Sequence, residues 1–302
     1  MLESSSRQDA DRRASATAEC AQDLKAAIER YPSLFPSAPF DSAFPAKLAG
    51  AVAAGEPELD APRLRTHALT SLWIFAVDWV IDHEATTAAE VEDTVSRCLR
   101  AADGHVPAPD DALARFLDEL RRDLSKHSAF ARLGSVWRDE LRRMLEAMNR
   151  EWHWNALREG SSERGGTEAV ASPTLDQYLD NADNFGSTWS NVAHWIALGD
   201  PGVLARLEEM LVVSRRVQQV LRLANDLATI DRDRGQWDDL NVLLIGVGRP
   251  AVDQKISELA GDCHRLLASL LADCPRGAAF LRRQLEFSTA YYGAGRDYWG
   301  AV

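Results

Sequence analysis

Apolar positions in this chain recur at intervals of three and four residues, and almost no run alternates in the manner of a strand. That period collects apolar side chains on one face of a helix. It predicts helices over about 64–83, 88–102, 110–125 and 135–159. Further helices begin near Leu175 and Ser187, and others cover 202–230, 237–245, 251–272 and 277–299. Elsewhere the pattern lapses. Residues 1–14 read as a polar, disordered leader. Residues 31–44, rich in Pro, Ser and Phe, read as a loop tying the N-terminus to the body, and 160–173 (GSSERGGTEAVASP) as the clearest linker, a candidate loop over a site. No internal repeat is visible. The short connections that remain favour an all-α fold, one α-helical bundle over residues 15–302.

Composition narrows the function classes. A hydrophobic content of 46% over 302 residues supplies a buried core with room to spare. No apolar run reaches membrane-spanning length, and the start MLESSSRQDADRR has no apolar signal core, so a cytoplasmic protein without membrane insertion is expected. The net charge of −12 argues against a nucleic-acid partner, which needs a basic footprint. Cys20, Cys98, Cys263 and Cys274 are scattered, with no CxxC or zinc spacing, and are expected to be reduced and mostly buried.

The densest chemistry lies in NDLATIDRDRGQWDDL, residues 225–240. Asn225, Thr229 and Asp233 stand at i, i+4 and i+8, so a helix aligns three oxygen-bearing side chains along one face. Oxygen donors of this kind suit Mg²⁺, often shared with a phosphate substrate. The apolar run 211–223 before them places the stripe on a largely buried helix, where unpaired polar groups are costly. The plain alternative is a helix end with solvated charges. Upstream, SLWIFAVDWVIDHE (71–84) sets Asp78 and Asp82 one turn apart on an aromatic helix. Two like charges so placed repel unless a cation bridges them; otherwise they are acids on the wet side of an amphipathic helix.

Both stretches resemble the metal-binding motifs of class I terpene synthases. Asn225, Thr229 and Asp233 occupy the ligand positions of the family's Asn/Asp-Asp-x-x-Ser/Thr-x-x-x-Glu motif, with Asp233 in place of the usual Glu. Asp78-Trp79-Val80-Ile81-Asp82 matches the first and last positions of Asp-Asp-x-x-Asp, with Trp79 in the second. Glu84 is a substitute ligand in a shifted register. The two motifs follow in the family's order, and YYGAGRDYW (291–299) resembles the terminal Arg-Tyr element, although Asp297 splits Arg296 from Tyr298. One family feature is missing: no Arg precedes the helix break at Gly186, where Asn181 and Ala182 stand, which leaves either another base such as Arg222 as the sensor of diphosphate or a different trigger for ionisation.

The resemblance implies a helical bundle around an apolar cavity. Asp78, Asp82, Asn225, Thr229 and Asp233 would hold up to three Mg²⁺, with Asp78, Asn225, Thr229 and Asp233 carrying catalysis. Arg222, Arg232, Arg296 and Tyr298 would bind the diphosphate. Most aromatics are explained by core packing, but Phe75, Trp79, Phe185, Trp189 and Tyr292, with Gly186, are expected to line the cavity, where ring faces stabilise carbocations. The Trp152-His153-Trp154 run reads as structural. The implied substrate is a prenyl diphosphate, labdane-type or geranylgeranyl first and farnesyl next, and a homodimer is a possible assembly. A chain-elongating prenyl transferase and a non-catalytic helical scaffold are the competing readings.

Overall fold

The computed structural model describes residues 2–163, 172–235 and 239–299. Twelve α-helices follow one another with no strand among the described residues: α1 Leu2–Arg30, α2 Phe44–Gly55, α3 Ala61–Trp79, α4 Ala88–Ala102, α5 Ala112–Leu124, α6 Phe130–Glu163, α7 Leu175–Asp180, α8 Ser187–Leu198, α9 Pro201–Ala205, α10 Leu207–Gly235, α11 Arg249–Leu270 and α12 Pro275–Gly293. The fold is all-α, as the periodicity predicts. No described helix is long and apolar enough to cross a membrane. All four cysteines are buried and free.

Local chemistry sets the helix starts. Thr87 and Thr174 each form a capping box, with Glu90 and Gln177 returning the bond, while Asp60, Asp111 and Asp200 cap α3, α5 and α9 through their side chains. Two departures from the sequence pattern have physical causes. Helix α1 takes in residues read as a leader; among its residues whose burial is described the first buried apolar one is Ala16, and its polar start carries no core signal. The helix expected over 237–245 is absent where described, since residues 242–246 form turns. There Asn241 Oδ1 accepts from the Leu243 N–H at 2.9 Å, a local bond that competes with helix. Residues 164–171 of the expected linker, and 237–238, lie outside the described residues.

One apolar core runs from Ala16 on α1 to Tyr298 beyond α12. Within it α3 packs on α1, α2, α5 and α8, and α10 on α8, α11 and α12. The α3 face turned from the centre buries Leu69, Leu72, Trp73 and Ala76, and the Trp73 indole N–H donates to Leu113 O at 2.9 Å. A buried polar layer locks α8 to α10. Gln218 Oε1 accepts from the Thr188 N–H at 2.9 Å, and Asn191 Nδ2 donates to Ser214 Oγ at 3.0 Å. Just before α8 the chain breaks at Gly186, whose φ of +73° favours glycine. A Cβ there would stand 2.7 Å from Met144 Sδ and 2.9 Å from Ile74 Cδ1, so conformation and crowding both demand glycine.

Candidate active site

A cavity of ≈ 230 Å³ lies at the centre of the bundle. It is far larger than a site for one water, which makes it a chamber rather than a packing flaw. Helix α3 supplies one wall as a stripe at helical spacing: His67, Ser71, Ile74 with Phe75, then Asp78. After Trp79 the helix widens into a π-turn over Val80–Glu84, closed by the Ala85 N–H donating to Val80 O at 3.0 Å. Such turns recur at functional sites, and this one carries the stripe on to Asp82. Opposite, α10 lines the cavity with Leu221, Arg222, Asn225, Asp226, Arg232 and Asp233.

The α10 carboxylates are already held. Asp233 Oδ2 accepts from the Thr229 hydroxyl at 2.5 Å and from Asn241 Nδ2 at 2.8 Å, and its Oδ1 accepts from Arg232 Nη2 at 3.0 Å. Asp226 Oδ2 accepts from the Tyr178 hydroxyl at 2.7 Å and from the Val242 N–H at 3.1 Å. Burial nevertheless pushes the Asp226 carboxyl up to about 7. Arg222 is almost fully enclosed, with its guanidinium 4.2 Å above the Tyr178 ring and Nη2 2.7 Å from Glu151; its Nε has no partner among the described residues.

The acids across the mouth are crowded instead. Burial, then Glu151, pushes Asp78 up to about 7, against the pull of Arg232 and Arg222. Asp82 is solvent-exposed, yet the protein packed around it together with Asp78 and Asp239 holds it well above the usual carboxylate range. Asp239 is raised in the same way, by burial and then by Asp233 and Asp78. His83, 4.0 Å from Asp239, is pushed down to about 4 by burial and by Arg232, so it supplies no compensating charge near neutrality. Among the described residues no three His, Cys, Asp or Glu side chains converge closely enough to hold a metal unaided. Amide, hydroxyl or substrate oxygens would have to complete any such shell.

A model of "Terpene synthase family 2, C-terminal metal binding" matches residues 70–246, from within the α3 stripe to the end of the turn after Asn241. The chain belongs to the terpene synthases. It is 22% identical over 282 residues to ent-pimara-9(11),15-diene synthase from Streptomyces sp. (strain KO-3988), covering 92% of this chain and 91% of that one. Among solved structures, 2-methylisoborneol synthase from Streptomyces coelicolor A3(2), in complex with Mg²⁺ and geranyl-S-thiolodiphosphate, superposes with a TM-score of 0.69 at 16% identity over 95% of this chain and 93% of that one. Hedycaryol synthase in complex with nerolidol gives 0.62 at 16%, over 91% and 94%. This chain is therefore a class I terpene synthase with that all-α fold, an enzyme of the terpene cyclase class.

Within this synthase the cavity wall takes in Asp78, Asp82, Asn225, Asp233, Arg222, Arg232, Tyr298, Phe75, Phe185 and Tyr292. Thr229 sits behind it, against Asp233, and Gly186 lies between the wall residues Phe185 and Ser187. Three expectations are corrected. Trp189 is wedged between Trp73 and Trp137 in the core, because α8 is buried on all sides and turns Ser187 and Ser190 to the cavity instead. Trp79 is not part of the wall; its ring packs on Phe40, Trp299 and His83, and its N–H donates at 3.0 Å to Glu84, which also lies outside the wall. Arg296 is exposed over the Tyr291 ring and is not part of the wall, which Asp297 joins in its place, ion-paired to Arg232.

Sequence reasoning missed Glu151 and Asp239, took Asp297 for an interruption and read Trp152 as structural, yet all four line the cavity. Asp226 carried a signal, since it is the second residue of the α10 motif. Glu151 and Asp239 stand in no motif spacing.

Proposed function

We propose that this synthase ionises a prenyl diphosphate and converts the carbocation into a cyclic terpene, with Mg²⁺ as its metal, up to three ions. The carrying observation is that Asp78 and Asp82 on one wall and Asn225 and Asp233 on the other line one shared chamber, together with Phe75, Phe185 and Tyr292. The residues fit the ion. The crowded carboxylates raise one another's hold on protons even with Arg222 and Arg232 beside them, and an amide and a hydroxyl of the required hardness stand close by. They also fit the anion, because the unpartnered Nε of Arg222 is a buried donor seeking an acceptor.

Mg²⁺ held there would supply the positive charge that stabilises the diphosphate as it departs. Asp78, Asn225 and Asp233 would orient it, and Thr229 and Asn241 would keep Asp233 in place. Arg222 and Arg232 would carry part of the developing negative charge, and Arg222 would stand in for the Arg missing before Gly186. Tyr298 would close over the diphosphate, held by the Arg232–Asp297 pair next to it. Phe75, Phe185 and Tyr292 would present ring faces to the cation. Labdane-type or geranylgeranyl diphosphate is the preferred substrate, with farnesyl diphosphate next; the full-length likeness to a pimaradiene synthase supports the longer chains.

The test is incubation with labdadienyl, geranylgeranyl and farnesyl diphosphates, with Mg²⁺ and with chelator. Organic-extractable terpene and free diphosphate are expected only with Mg²⁺, and loss of both in Asn225→Ala. Longer prenyl diphosphates, or product formation by Asn225→Ala at a near-native rate, would overturn the reading.

A further inference from the structure

The end of the chamber away from the carboxylates is not purely apolar. Eleven residues separate His67 from Asp78 on α3, three turns and about 16 Å along the axis, and both side chains lie on the cavity stripe. His67 is accompanied there by Ser71, Ser190, Phe280 and Gln284. Ser71 and Ser190 hydrogen-bond to each other at 3.0 Å, and Gln284 Oε1 accepts from Asn191 at 3.0 Å. His67 has no such engagement. It is 6% exposed, and its buried Nδ1 has no hydrogen-bond partner among the described residues. Its ring lies 4.9 Å from that of His194 and 5.6 Å from that of Phe280. Behind it, His194 Nε2 is 3.4 Å from Glu56, whose charge is met by Arg276 and Arg283. The covered Nδ1 is out of a ligand's reach, so it is the rest of the ring that meets a molecule in the cavity.

We propose that His67 is the base that ends the carbocation cascade. The inference rests on the terpene cyclase reading above and adds its final step. A C–H bond next to the cationic carbon breaks. Its electron pair becomes the new C=C bond and neutralises the cation, and the proton moves to the imidazole lone pair of His67, to be passed to water when product leaves. The product is an olefin. Burial and the neighbouring His194 hold the His67 imidazole well below its ordinary range, so the ring is uncharged and ready to accept a proton. Weak basicity is no obstacle, because a C–H beside a carbocation is a far stronger acid than any imidazolium. The position also selects the product, since only a cation whose charge has migrated to the floor presents its proton to this ring. An otherwise apolar floor would leave that proton to water or to the departed diphosphate at the mouth.

Two measurements decide. The native enzyme, turning over in H₂¹⁸O with Mg²⁺, should give an olefin with no ¹⁸O; an ¹⁸O-labelled alcohol as main product overturns the proposal. His67→Phe keeps a ring beside Phe280 and removes the lone pair. The share of the native olefin should fall about 100-fold, the lower end of what a positioned base contributes. Earlier-quenched olefins and alcohols should replace it, while diphosphate release falls far less. The native olefin in its native share overturns the proposal. His67→Asn, smaller and polar, is read the same way should the Phe variant not fold. Failure of the native enzyme to release diphosphate from any of the three substrates would instead sink the cyclase reading itself.

Discussion

Across the mouth of the cavity, α3 and α10 hold their acids in different states of readiness. On α10, Asp233 is gripped by Thr229, Asn241 and Arg232, and Asp226 by Tyr178 and a backbone N–H. On α3 and its π-turn, Asp78 and Asp82 stand among Asp239 and Glu151, and Arg222 and Arg232 offset their charge only in part. One side is built in advance, and the other is under electrostatic stress that a divalent cation would relieve. The contrast divides labour for ligand capture. The α10 side fixes geometry, which preorganises donors, and the α3 side stores repulsion that is released only on binding.

The largest effect should come from removing the stressed side. Asp78→Asn keeps shape and removes charge, and its turnover with the best diphosphate substrate should fall about 1000-fold, the scale of losing a key stabiliser of developing charge. Without Mg²⁺ the same variant should melt at a higher temperature than the native protein, because a like-charge contact is gone. Steady-state kinetics and a thermal melt are enough. A variant equal to the native enzyme in both would dissolve the contrast between the helices.

On the prepared side the effect should be smaller and of another kind. Asn241→Ala leaves every proposed ligand in place but removes the amide donor to Asp233 and to Asp226 O. A residue that only steadies a ligand costs about 10- to 100-fold in metal affinity. The Mg²⁺ concentration for half-maximal rate should therefore rise by that factor, while the rate at saturating Mg²⁺ recovers most of its value. A loss that saturating Mg²⁺ does not repair would place Asn241 in the chemistry itself.

The same contrast explains what the sequence could convey. The two ligand stripes are local: Asp78 with Asp82, and Asn225 with Thr229 and Asp233, recur at helical spacing, and a helix delivers such residues to one face whatever surrounds it. Facing is a property of the packed bundle. Trp189 has the composition of a cavity residue, but α8 is buried on every side, and nothing in its sequence says which side meets the chamber. Glu151 on α6 and Asp239 in the turn after α10 reach the mouth only through tertiary packing. The terminal element failed for a nearer reason. Helix α12 stops at Gly293, and Gly295 at φ +66° redirects the chain, so Asp297 reaches Arg232 while Arg296 stays outside. The residue that looked like an interruption of the Arg-Tyr pair is the one that ties the segment down.

The smallest effect reads the enclosure that lifts two of these carboxyls, one on each helix. Asp78 and Asp226 lie at about 7 in the folded protein against an ordinary 3.8, so between those values the folded state binds more protons than the unfolded chain. Stability from these groups is fully present below about pH 4 and is lost as pH rises through about 7. In metal-free protein the melting temperature should fall by several degrees between about pH 5 and pH 8, since each pH unit over which one such group is protonated only in the folded state is worth about 1.4 kcal/mol and about 1 kcal/mol moves a domain of this size by roughly 2–4 °C at most. Mg²⁺ should restore the loss at the higher pH and do little at the lower, where Asp78 is protonated and a poor ligand. Asp78→Asn should flatten part of the slope and keep the part due to Asp226, whose partners Tyr178 and Val242 are untouched. A metal-free melting temperature that rises across this window would mean that α3 stores no repulsion and that the two helices differ only in sequence.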